Sequence, residues 1–124
     1  METKQMMSVE EILNMMEQGL GEEPKPMKAM SKMIPEWIPR QAGEKKFVME
    51  ELSHIPGKYK HLIMIAAAAV SGSSTCTRNY MKSAQRAGLS HEEIAEALLV
   101  ARFALASTVF ATSLDGMELL LEHP

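Results

Sequence analysis

One side chain in this sequence is suited to covalent chemistry of its own: Cys76, the only cysteine, in the stretch GSSTCTRNY at residues 72–80. Ser73 precedes it by three residues, the spacing at which a helix N-cap hydroxyl meets the backbone N–H of the third helical residue. With the cap at Ser73 or Ser74, Cys76 falls in the first turn of a helix, where the positive end of the helix favours a thiolate. Arg78 is close in sequence and adds to that field if it turns inward. Tyr80 follows Cys76 by one turn and shares its face, so it can donate a hydrogen bond to the sulfur or line a pocket. The same residues also have a plainer reading. Free cysteine is among the most buried residue types, Ser73 is a cap, and Tyr80 is a core or interface tyrosine.

Other chemistries find little support. Zinc built on Cys76 and His61, with His54 or His91, lacks any ligand pair three or four residues apart, and we expect neither metal nor cofactor. No Gly-x-Ser-x-Gly, phosphate loop or dinucleotide fingerprint is present. The chain has twelve methionines against three phenylalanines. Met27, Met30 and Met33 share helical spacing, but without a histidine or cysteine beside them they read as adaptable packing rather than a copper site.

The elements that must position Cys76 read as helical throughout. Ser8 and Glu11 form a capping box ahead of Ile12, Leu13, Met15 and Met16. Gly19 and Gly21 end that segment, and Pro24 and Pro26 mark a linker. A second segment is expected over about Pro26–Ile34. Pro35 and Pro39 bracket Trp37, which predicts a short turn or a broken helix there. A third segment is expected over about Gly43–Leu52, followed by a loop at His54-Ile55-Pro56-Gly57. Lys58–Ser71 is polar for one turn and then apolar on every side, which predicts a helix buried all round. Gly72 closes it. The Cys76 helix runs from about Ser74 to Ala87 with Gly88 as its cap, and SHEE at residues 90–93 is a capping box opening a long apolar helix to Phe110. Asp115-Gly116 loosens the pattern before a last turn or two. The fold class is all-α, with about six helices.

At 124 residues, the length predicts a single domain, 1–124, with its own core. The formal charge of −3 and the lack of a basic stripe argue against nucleic acid. The longest unbroken apolar run, Leu62 to Val70, is short of the roughly 20 residues of a membrane span, and Ala97–Leu114 carries Arg102, so no membrane helix is expected. The opening METKQMMSVEE lacks the pattern of a signal peptide, and one cysteine excludes an intrachain disulfide scaffold. A cytoplasmic location follows by default. Two helices as alanine-rich and apolar as these are hard to bury in so short a chain, so a homo-oligomer is expected.

The block from Lys60 to about Leu105 resembles the carboxymuconolactone decarboxylase family, in its alkyl hydroperoxidase D-like branch. The resemblance rests on LIMIAAAAVSG leading to a short motif at a helix start, a helix ending in Ala-Gly-Leu-Ser, and HEEIAEALLVA. It implies an all-α fold that assembles into dimers, trimers or hexamers, with residues 58–121 as the family core and residues 1–55 as N-terminal helices without a motif. Redox members carry Cys-x-x-Cys followed by x-x-x-His, with a glutamate on the preceding helix. Here Cys76 matches the second cysteine, Ser73 stands at the first, Tyr80 at the histidine, and His61 at the glutamate. The sequence alone leaves open whether Ser73 is an engineered change; the Tyr80 and His61 departures argue for natural divergence.

That pattern rules out the family's intrachain disulfide cycle and leaves two readings. In the first, the chain is a thiol-dependent peroxidase or disulfide oxidoreductase with catalytic Cys76 and supporting His61, Tyr80 and Ser73. Peroxide oxidises Cys76 to a sulfenic acid, which an external thiol or another subunit's Cys76 then resolves. A Cys–His pair is an established way to activate a thiol, and His61 would face Cys76 as the family's glutamate does. In the second, the chain is a non-catalytic helical oligomer, a ligand-binding or scaffold module with a lost redox site. Lactone decarboxylation is disfavoured, because no matching set of basic and acidic residues is present.

Overall fold

The computed structural model describes residues 7–124 as seven α-helices and one π-helical turn, with no strand among the described residues. Residues 1–6, part of the segment read above as lacking a signal peptide, lie outside them. The chain separates into two compact units, the first ending at Lys60 and the second beginning at His61.

In the first unit α1 (Val9–Leu20) and α2 (Lys25–Met33) both pack on α3 (Trp37–Lys46), whose Ile38 is fully buried. The Ser8 hydroxyl caps α1 by accepting from the Glu11 N–H at 3.1 Å. Trp37 lies in neither a turn nor a broken helix: α3 begins at it, with Pro39 at the third helical position. The N–H groups of a first turn have no intrahelical acceptor, so proline there removes no bond from the ladder. The expected helix over Gly43–Leu52 is split between the end of α3 and a π-helical turn, Phe47–Glu51, closed by the Leu52 N–H donating to the Phe47 carbonyl at 3.0 Å. Lys60 is buried, and its ammonium donates to the Val48 carbonyl at 2.7 Å and to the Leu52 carbonyl. A buried cation is tolerable where its donors are answered, and these carbonyls, one within the π turn and one just after it, answer it.

The second unit holds most of α4 (Gly57–Ser71), with α5 (Ser74–Arg86), α6 (His91–Thr112) and α7 (Leu114–Glu122). Its core is Ile65 of α4, Ala84 of α5, Leu89 and Ile94, with Leu62, Tyr80, Met81 and Leu98 packed against them. α4 is not buried all round: Ile65 and Ala68 are covered, while Ile63 and Val70 are about half-exposed. α6 starts from a complete capping box. Ser90 accepts from the Glu93 N–H at 3.1 Å, and the Glu93 carboxylate accepts from the Ser90 N–H at 3.0 Å. Beyond Ala101 every residue of α6 and α7 is exposed. The stretch His91–Glu122 is long and apolar enough to cross a membrane by length and composition, and little of it is covered. The expected last turn or two is a nine-residue helix, α7, which takes Gly116 into its first turn.

Candidate functional site

The site is assembled by the turn between α4 and α5. Gly72 takes φ +82°, a left-handed conformation that a side chain would strain. Its N–H donates to the Ala69 carbonyl and the Ser73 N–H to the Ala68 carbonyl, both at 3.2 Å, which ties the turn to the end of α4. Ser73 is the extended N-cap residue of α5, and its hydroxyl accepts from the Cys76 N–H at 3.2 Å. The Ser73 carbonyl accepts twice from Thr77, from the N–H at 3.0 Å and from the hydroxyl at 2.7 Å. The cap therefore uses the backbone of Cys76 and leaves its thiol out. Cys76 itself is half-buried, and no carboxylate lies in the first turn of α5.

Tyr80, one turn on, brings its phenol to that sulfur. Its ring packs against the core of the unit, and its hydroxyl interacts with the sulfur of Cys76. Burial pushes the phenol above its ordinary value, and the charge of and hydrogen bond to Cys76 push the same way. Tyr80 therefore stays protonated at neutral pH, where it acts as a hydrogen-bond donor. Asn79, next to it, buries its side-chain carbonyl oxygen without a hydrogen-bond partner among the described residues. Sequence reading passed over Asn79, since an asparagine in mid-helix carries no signal of burial.

His61 is half-buried on α4 and makes no hydrogen bond to Cys76 in the described residues. Arg78 is exposed and lines an open groove of about 800 Å³ along α5 and α6, together with Ser73, Met81, Lys82, Ile94 and Leu98. Neither Cys76 nor Tyr80 lines that groove. Among the described residues no three His, Cys, Asp or Glu side chains converge. The structure thus brings together three of the four residues singled out from the sequence: Ser73 at the backbone of Cys76 and Tyr80 at its thiol.

Fold and site together define an all-α protein with one thiol at a helix start, of the alkyl hydroperoxidase D-like fold. Residues 42–118, more than half of the chain, match the carboxymuconolactone decarboxylase family, and the chain belongs to it. No curated protein matches the chain.

Proposed function

We propose that this chain is a one-cysteine thiol peroxidase. One observation carries the reading: the half-buried Cys76 thiol sits outside the helix cap, one helical turn from a phenol that interacts with it and stays neutral. The thiolate attacks one oxygen of the peroxide, the O–O bond breaks and an S–O bond forms. Sulfur is oxidised by two electrons, and the departing oxygen takes a proton and leaves as alcohol or water. Tyr80, as donor, steadies the charge on sulfur and on the oxygen bound to it. An external thiol then displaces water from the sulfenic acid to give a mixed disulfide. A second thiol releases Cys76 and carries away the oxidised pair.

The test is peroxide consumption with dithiothreitol as reductant, alongside trapping of the sulfenic acid with dimedone. The reading expects turnover by the wild type, one dimedone adduct at Cys76, and neither in Cys76→Ala. Absence of both from the folded wild-type protein overturns it in favour of a non-catalytic binding module.

A further inference from the structure

The open groove along α5 and α6 joins an apolar floor to a lining of one charge. Among its apolar residues Ile94 is buried, and Met81 and Leu98 are half-buried. Arg78 and Lys82 also line it, four residues apart on α5 and so on neighbouring positions of one helix face. His91, at the start of α6, adds an imidazole. No Asp or Glu among the described residues lines the groove, and Glu92, Glu93 and Glu96 of α6 all fall outside its lining. The chain carries 16 acidic residues against 13 basic ones, so a groove with bases and no acid runs against its overall balance.

The two features together select the occupant. An inorganic anion would answer the cations and leave the floor in water. An uncharged chain would cover the floor and leave the charge unanswered. A carboxylate at the end of an aliphatic chain does both. Arginine and lysine take the head through charge-assisted hydrogen bonds. Burial of apolar surface drives the chain onto the floor, where the flexible Met81 side chain adapts to it. The volume of about 800 Å³ lies within the roughly 300–1,000 Å³ of small-molecule sites. Between Ser74 and Gln85, both on the lining, α5 rises roughly 16 Å, enough for an extended chain of about a dozen carbons. We infer that this groove binds a single-chain aliphatic carboxylate, its head at Arg78 and Lys82 and its chain over Met81, Ile94 and Leu98. Neither Cys76 nor Tyr80 lines the groove, so the site does not depend on any chemistry at the thiol.

The test titrates the protein with dodecanoate, below its micelle concentration, and follows isotope-labelled methionine methyls by NMR. Met81 is the one methionine on the groove lining among the described residues, and Met81→Leu assigns its signal. Met117, on the exposed part of α7, is the control for adsorption elsewhere. Dodecanoate is expected to shift the Met81 signal saturably and to leave Met117 in place. Dodecyltrimethylammonium, the same chain with the opposite charge, is expected to bind roughly tenfold more weakly or worse. Arg78→Gln combined with Lys82→Gln is expected to weaken dodecanoate by about tenfold or more, with circular dichroism as the check on helicity. Should that variant not fold, the comparison of the two head groups on the wild type decides. Four results overturn the inference. They are a Met81 signal that does not move, equal binding of the two head groups, a shift at Met117 in place of Met81, and unchanged dodecanoate affinity in the folded variant.

Discussion

Two helices of the second unit open with the same device and put their third residue to different use. Ser73 caps α5 and Ser90 caps α6, each hydroxyl accepting from the N–H three residues on, at 3.2 Å and 3.1 Å. At α6 that third residue is Glu93, and its carboxylate turns back to the Ser90 N–H. At α5 it is Cys76, and the Ser73 N–H is satisfied by the Ala68 carbonyl at the end of α4. The side chain that closes the box in one helix is therefore released in the other. The fields differ too. Glu92 and Glu93 occupy the first turn of α6, while the first turn of α5 has no acid. An anion placed there would meet the positive end of the helix without a competing charge.

The largest effect expected of this contrast follows from removing the released side chain. Cys76→Ser should take thiol-dependent peroxide turnover down to the uncatalysed rate while leaving helicity and melting temperature close to the wild type. Glu93→Ala should do the reverse, lowering the melting temperature and sparing turnover. If the two variants lost stability equally, Cys76 would be a packing residue and the contrast would fail.

Tyr80→Phe probes the partner that α5 supplies and α6 lacks. Phenylalanine keeps the ring against the core of the unit and deletes only the hydroxyl. Loss of one hydrogen bond to a charged sulfur is worth about 1.5 kcal/mol, so the rate of peroxide reduction should fall roughly tenfold. An unchanged rate in stopped-flow measurements would assign Tyr80 to packing alone.

The caps themselves should show a smaller effect. Ser73→Ala and Ser90→Ala should each cost about 1 kcal/mol in urea unfolding. Only Ser73→Ala should change the rate at which Cys76 is alkylated by iodoacetamide, because only that hydroxyl holds the backbone of Cys76. Equal alkylation rates in both variants would show that the cap does not position the thiol.

Much of this contrast was legible in the chain. SHEE reads as a closed box because all its partners lie within four residues, and Ser73 reads as a cap for the same reason. The all-α class and the family were legible because helical periodicity and the LIMIAAAAVSG block are local patterns. What is not local was lost. The pairing of Tyr80 with Cys76 was only one of two readings, since sharing a helix face does not decide where a hydroxyl points. Pro39 looked like a breaker until its place in the first turn of α3 was known. Lys60 gave no sign that its ammonium would answer two carbonyls, one within a π turn and one just after it, because those acceptors lie eight and twelve residues back. Apolar periodicity also made α4 look enclosed, since it counts apolar faces and not the neighbours available to cover them.

The smallest effect expected is in the titration of Tyr80, and it tests the released thiol directly. With Tyr59 replaced by phenylalanine, the ultraviolet absorbance of phenolate reports Tyr80 alone, since the chain has two tyrosines. Its midpoint should lie above the ordinary value of about 10. Burial is the first cause of the rise, followed by the negative sulfur of Cys76 and the hydrogen bond to it. In a Cys76→Ala background the second and third causes vanish and the first remains, so the midpoint should fall part of the way and stay above the ordinary value. The sign for stability follows from linkage. A raised phenol favours the protonated folded state, so its contribution is fully present below about pH 10 and is lost as the pH climbs through the folded midpoint. Unfolding curves should then show a steeper alkaline loss of stability with Cys76 present than with alanine. A midpoint that does not move on losing the sulfur would break the pairing. A midpoint that returns fully to the ordinary value would mean that sulfur, rather than burial, holds the phenol protonated.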